Sequence, residues 1–282
     1  MIVPSSWWTF RRKMINRCAI GLATLITLLG LLLPFWILFT VVNRGLGAFN
    51  WALLTQMTPP PEAEGGLYNA IIGSFIMVGA AALIASPIGV ITGIYLAEYG
   101  RKAKPAMVIR FVNDILLSAP SIVIGVFVYM IMVVPFRHFS GWAGIVALAV
   151  IALPIIVRTT ENMLLLVPDI LREGGLALGS SRRQVIMKIC VPAARNGIIT
   201  GILLSVARIS GETAPLLFTA LNNQFYSHDL SQPMANLPVV IFQYAMSPYE
   251  NWQRLAWAGA ALITVYVVAI NILARTVFAG RR

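Results

Sequence analysis

The chain has 282 residues, 59% of them hydrophobic and 11% charged, with a formal net charge of +11 and a mean hydropathy of +0.82. Soluble domains carry about 25% charged residues, so this composition excludes an ordinary water-soluble fold and points to an integral membrane protein. The positive charge does not indicate nucleic acid, since basic residues alternate with apolar spans; the cysteine count of two (Cys18, Cys190) excludes a disulfide framework.

Residues 1–17 hold Arg11, Arg12, Lys13 and Arg17 ahead of the apolar run Cys18–Val42. That run is about 25 residues, longer than the 7–15 of a signal-peptide core, and no A-x-A-like site closes it. Residues 18–42 therefore read as a retained first transmembrane helix with its N-terminus inside. Residues 43–69 form a polar outer loop containing Thr58-Pro59-Pro60-Pro61-Glu62-Ala63-Glu64-Gly65-Gly66. Consecutive prolines lack backbone donors, so an extended loop is expected, separating the first helix from a compact core over 70–277.

The second helix is expected over about Ala70–Leu96, interrupted by Pro87, and the connection Glu98–Arg110 carries Arg101, Lys102, Lys104 and Arg110. The third covers about Phe111–Val134, with Asp114 near its inner end as a helix-end or solvated carboxylate. A short loop leads to the fourth, about Trp142–Val157. The polar stretch Arg158–Arg195 precedes a fifth helix, Asn196–Leu221; the loop Asn222–Asn251 has no Lys or Arg; the sixth spans about Trp252–Ala274, with a tail at 278–282. Seventeen of the 21 Lys and Arg fall on one side of this layout, leaving Arg44, Arg137 and Arg254 opposite and Arg208 within the membrane. The positive-inside rule then puts both termini in the cytoplasm, consistent with six spans and an all-α membrane protein.

The fifth helix contains Ala207-Arg208-Ile209-Ser210-Gly211-Glu212-Thr213-Ala214-Pro215. On a continuous helix Arg208 and Glu212 share a face, and a start at Asn196 puts Arg208 about 18 Å along it, near mid-membrane. A charge there costs at least about 2.5–3.5 kcal/mol, which favours a pathway role over a structural ion pair. A guanidinium fork suits an oxyanion, and a carboxylate can hold it while the anion is absent. Pro215 is expected to bend the helix beside the pair.

The connection over 158–195 is far longer than the 2–8 residues a helix reversal needs. Two short helices are expected: Pro168–Leu178, closed by Gly179, and one capped by Ser180 or Ser181 that ends before Pro192. The apolar face of the second, with Val185, Ile186, Ile189 and Cys190, suits docking into a partner's groove.

This connection resembles the cytoplasmic EAA loop of binding-protein-dependent ABC importers. Glu173, Gly179, Ile189 and Pro192 match in register, while Gly174 and Gly175 replace the two alanines and Val191 the usual Leu. Arg208–Pro215, Thr58-Pro-Pro-Pro, Asp229-Leu-Ser-Gln-Pro-Met-Ala-Asn-Leu-Pro and Ala245-Met-Ser-Pro further resemble the A-type permease subunits of phosphate-specific importers. The resemblance implies a MetI-like type I permease fold in which Glu173, Gly179, Ser180, Ser181, Ile189 and Pro192 couple to an ATPase. It also implies a C-type sister permease, two cytoplasmic ATP-binding subunits holding ATP and Mg, and a periplasmic phosphate-binding protein.

The sequence has no G-x-x-x-x-G-K-[ST] loop, so the chain supplies no ATP site of its own, and no H-E-x-x-H. His138 and His228 lack ligand-spaced companions, so no metal and no catalytic residues are expected. A self-contained secondary anion transporter or channel is the competing reading, though a channel has no need of the long cytoplasmic connection.

Overall fold

The computed structural model describes residues 6–100 and 103–277. Arg101, Lys102, Arg281, Arg282 and the tail at 278–282 lie outside the described residues. The fold is all-helical: α1 (Ser6–Gly47), α2 (Trp51–Thr55), α3 (Tyr68–Tyr99), α4 (Lys104–Ser118), α5 (Ser121–Phe136), α6 (Gly141–Leu165), α7 (Asp169–Ala177), α8 (Arg182–Ile209), α9 (Ala214–Thr219), α10 (Leu237–Ala245) and α11 (Glu250–Val277). Five of these helices are long and apolar enough to cross a membrane, and the bent pair α4–α5 makes a sixth if it is one span.

Helix α1 is 42 residues long and exposed along almost its whole length. Over residues 18–42 it is apolar on all sides, as a membrane-spanning helix is. Only its end touches the rest of the chain: a Cβ at Gly45 would overlap Ala261, and Arg44 lies 5.0 Å over the Trp257 ring.

The core is the packing of α3, α6 and α8. Met77, Ala81 and Ala85 of α3 meet Ile145, Leu148, Ala152 and Ile156 of α6, joined by Ile209 and Leu216. Small residues allow this closeness, as expected where lipid supplies no hydrophobic drive between helices. Gly89 seats against Ile156, Gly93 against Thr160, and Gly201 against Thr159. The window of α6 that reads as a span is 67% buried, making it the central helix of the bundle.

Four features depart from the expected layout. The third helix is not continuous: α4 and α5 meet at 107° across Ala119-Pro120, both extended at ψ 134°. Pro120 cannot donate, and it excludes the α conformation from Ala119, so the helix stops there. The second helix of the connection over 158–195 does not end before Pro192. It runs on as α8 through a π-helical turn over Ile186–Cys190. A widened turn immediately before a proline absorbs the hydrogen bond that the ring cannot make. The fifth helix does not reach Leu221 but ends at Ile209. Finally, the loop Asn222–Asn251 contains α10, whose N-cap Asn236 accepts from the Val239 amide at 3.0 Å and whose Pro238 occupies the first turn.

The connection over 43–69 contains the end of α1 and all of α2, and its proline stretch packs onto the core. Asn69 Nδ2 donates to Thr58 Oγ1 and to the Asn223 carbonyl, both at 2.9 Å. The Pro59 carbonyl accepts from Trp252 Nε1 at 3.2 Å and from the Tyr244 hydroxyl at 3.3 Å. Prolines bring acceptors without donors, and these aromatic donors satisfy one of them. Burial pushes the Tyr244 phenol up to about 12 from its ordinary 10.0, with the Thr58 hydroxyl partly opposing the shift. A raised folded-state pKa gives stability that is complete below the unfolded value and is lost as pH rises through the folded one. The unfolding temperature is therefore expected to drop between about pH 10 and 12, and to drop less in Tyr244→Phe. Equal alkaline sensitivity in the two proteins would exclude Tyr244 as the cause.

Candidate functional site

Arg208 lies in the last turn of α8, and Glu212 lies beyond the helix, in the turn Ser210–Thr213. The turn is closed by Gly211 N to Arg208 O at 3.2 Å and Glu212 N to Ile209 O at 3.3 Å. Pro215 therefore does not bend a continuous helix. It opens the separate short helix α9, where a missing N–H costs nothing.

This second break lies beside the first. A Cβ at Gly125 would come within 2.6 Å of Pro215 Cα, so α5 and α9 touch almost backbone to backbone. Arg208 borders a small depression shared with Ala119 and Ser121 at the α4–α5 break and with Pro154 and Ile155 of α6. Pro154 is about 20 Å from the start of α6 at 1.5 Å per residue, near the middle of this 25-residue span. Arg208 thus lies beside the middle of α6, although not by the register of an unbroken helix. Its Nε is 3.9 Å from Glu212 Oε1, a loose contact, and its side chain is 56% exposed while that of Glu212 is 15% exposed. Non-helical backbone at membrane depth is tolerated where it lines a cavity or is buried in protein, and two such breaks flank this guanidinium. The arrangement presents a cation able to exchange its carboxylate partner for another oxyanion.

The residues singled out in the connection over 158–195 lie together from α7 to the start of α8. Glu173 is exposed on α7, and Gly179 follows α7 at φ +81°, the left-handed conformation that glycine adopts without strain. Ser180 is half-buried. Ser181 caps α8 in a capping box: its Oγ accepts from Gln184 N at 3.4 Å and its own N–H donates to Gln184 Oε1 at 2.9 Å. Ile189 packs on Gly175, where a Cβ would lie 2.8 Å from Ile189 Cδ1, so glycine here lets α7 sit close against α8. Gly174 faces open space. Pro192 is exposed within α8, after the π turn. Leu166, Ile170, Leu176 and Leu178 are exposed around α7, Leu178 by 89%, an apolar surface of the kind that marks an interaction site.

Sequence reasoning missed a cluster of charges joining this site to the core. Glu98, buried at the end of α3, receives Arg172 from α7: Nη2 to Oε1 at 2.7 Å and Nε to both carboxylate oxygens at 3.2 Å. The same guanidinium donates to the carbonyls of Leu164 (2.8 Å) and Val167 (2.5 Å) and to Asp169 Oδ1 (3.0 Å). Its pKa is raised, chiefly by the hydrogen bond to Glu98. Arg182 of α8 donates to the Glu98 carbonyl and lies 4.8 Å over the Tyr99 ring. Arg110 of α4 pairs with buried Glu161 of α6 at 2.7 Å and donates to the Leu96 (2.9 Å) and Gly100 (3.3 Å) carbonyls. Arg110 and Arg182 therefore cap the carbonyls at the negative C-terminal end of α3, while Arg172 ties the Glu98 side chain to the carbonyls at the end of α6. The available signal was a glutamate at the edge of each of two apolar runs, since such residues are seldom buried unpaired. Asp114, by contrast, makes only a 4.0 Å contact with Arg158, both about half exposed. Among the described residues no group of three or more His, Cys, Asp and Glu could hold a metal ion.

Known proteins place this architecture. The family model "Binding-protein-dependent transport system inner membrane component" matches residues 89–279. A chain of the MetNI methionine ABC transporter, solved in inward-facing conformations, superposes with a TM-score of 0.61 at 21% identity, covering 81% of this chain and 95% of that one. The fold is thus that of an ABC importer permease, an inner-membrane multi-pass component without an ATPase domain. The phosphate transport system permease protein PstA of Haemophilus influenzae is 58% identical over 271 residues, covering 96% of each chain. PstA of Yersinia pestis is 57% identical, covering 96% of this chain and 92% of its own, and PstA 1 of Mycobacterium tuberculosis is 35% identical, covering 94% and 88%. The chain belongs to this PstA family of phosphate transport permeases.

Proposed function

We propose that this chain and a sister C-type permease enclose the route by which inorganic phosphate crosses the inner membrane. The relatives' common description as phosphate transport permeases supports the substrate. The observation that carries the reading is a guanidinium beside the middle of α6, 56% exposed and loosely held by one carboxylate, between two helix breaks. In this reading Arg208 offers its donor fork to phosphate oxygens as the anion passes. Glu212 holds the guanidinium when the route is empty and displaces the anion afterwards.

Two cytoplasmic subunits carrying ATP and Mg supply the drive, and a periplasmic phosphate-binding protein delivers the anion to the outer loops. Both termini, 1–17 and 278–282, are cytoplasmic in this topology, as is the connection over 158–195. The chain from 43 to 69 is periplasmic, and 70–277 forms the permease core. Glu173, Gly179, Ser180, Ser181, Ile189 and Pro192 shape the surface that seats in an ATPase cleft. The exposed Leu176 and Leu178 add apolar area to it. Closure of the ATPases moves this surface and switches access between sides, a rocking of rigid units.

Ser180→Cys tests the docking without disturbing the Ser181 cap. In the assembled complex a short thiol crosslinker is expected to join this position to the ATPase subunit. Complete absence of that product, with the ATPase still co-purifying, would place the docking surface elsewhere.

A further inference from the structure

We infer that Glu98, Arg172 and Arg182 form a joint that makes the ATPase-facing helix α7 move as one body with α3. This rests on the coupling role proposed above and adds a route for the motion.

The chain itself offers one route, because α7 leads through Gly179 into α8, which runs on to Arg208. A glycine at positive φ between α7 and α8 is a compliant link, and the π turn over Ile186–Cys190 is a second irregularity on that path. The lateral route is stiffer. Arg172 commits its guanidinium to Glu98 across the helix gap and to the Leu164 and Val167 carbonyls at the end of α6. Both partners are largely withheld from water, with side chains 11% and 5% exposed. Arg182 adds a bond to the Glu98 backbone and the Tyr99 stack, so α8 is fixed to the same point. Beyond the joint, α3 lies against α6 through Gly89 and Gly93 with no room for a side chain, so a shift of its end is passed along the pair. That pair includes Pro154 and Ile155, which border Arg208. Buried side-chain pairs of this kind hold discrete arrangements, which is what transmission between distant sites requires.

These are positioning residues, and the test separates transmission from folding. The complete transporter, with its binding protein and phosphate, is reconstituted in liposomes carrying Glu98→Gln, Arg172→Gln or Arg172→Lys. ATP hydrolysis and phosphate uptake are measured on the same vesicles. Glu98→Gln and Arg172→Gln are expected to keep hydrolysing ATP while phosphate moved per ATP falls about five- to a hundredfold, the usual range of coupling between distant sites. Arg172→Lys, which keeps the charge but loses the fork, is expected to recover part of the ratio. An unchanged ratio, whether both activities persist or both decline together, would overturn the joint. If the variants do not assemble, spin labels on an otherwise wild-type joint decide it, at Gly174→Cys in α7 and Ile91→Cys in α3 with Cys18→Ser. Their separation is expected to be the same in nucleotide-free and ATP-bound complexes, and a change would overturn the rigid connection. Failure of the docking reading looks different, since the Ser180→Cys crosslink would then be missing while the joint's distance stayed constant.

Discussion

Phosphate uptake by the reconstituted transporter is expected to fall at least about a hundredfold in Arg208→Gln. Each charge-assisted hydrogen bond contributes about 1.5–3 kcal/mol, so a lost two-donor fork is worth two decades or more at 1.4 kcal/mol per tenfold. The loss should come without collapse of the complex. Arg208 is 56% exposed and its contact with Glu212 spans 3.9 Å, so little of the fold depends on it. Arg208→Lys keeps the charge and loses the planar fork, so an intermediate uptake is expected. Glu212→Gln leaves the guanidinium without its counter-charge and should alter the phosphate concentration giving half-maximal uptake more than it alters complex abundance. Uptake is read by labelled phosphate in vesicles, with co-purification of the ATPase as the assembly control. Full uptake in Arg208→Gln at normal abundance would remove this residue from the route.

Arg110→Ala is expected to damage the fold. It strips the partner from Glu161, whose side chain is 5% exposed, and frees the carbonyls of Leu96 and Gly100. Leaving one member of a buried pair uncompensated costs about 3–5 kcal/mol, a large part of the roughly 5–15 kcal/mol that holds a typical domain together. Membrane abundance and the unfolding temperature in detergent should both drop. Adding Glu161→Gln to the same chain removes the stranded charge and should recover part of the loss, but not all, because the α3 carbonyls stay uncapped. Wild-type abundance of the single variant would show that water or a partner subunit compensates Glu161.

Much of the architecture was readable from apolar periodicity. The runs around Ala70–Leu96, Trp142–Val157 and Trp252–Ala274 lie within α3, α6 and α11. The Gly179 turn and the Ser181 cap also stand at the expected positions, because both are local chemistry that a few residues decide. The breaks were harder. Pro120 and Pro215 were visible, but a proline in an apolar run is compatible with a kink, a stop or a helix start. Which one occurs depends on neighbours: α9 begins at Ala214 because Gly125 leaves room for Pro215. Pro192 shows the reverse outcome, with α8 carried through by a π turn. The Arg172–Glu98 pair was invisible because the two residues are 74 apart, and no pattern within either segment names the other.

The two candidate sites differ in the same way. The motif around Arg208 drew attention through the cost of a charge in an apolar run. Its register assumed an unbroken helix, whereas α8 ends at Ile209, and it is Pro154 and Ile155 of the central helix that border it. The apolar surface around Leu176 and Leu178 follows from Gly179, which turns the chain and leaves those side chains outward.

The most direct test compares vesicles containing this chain alone with vesicles containing it together with the sister permease, the ATPase subunits and the phosphate-binding protein. Phosphate accumulation is expected only in the complete system and only with ATP. Saturable phosphate movement by the chain alone, without the ATPases, would contradict the account and identify a self-contained anion transporter.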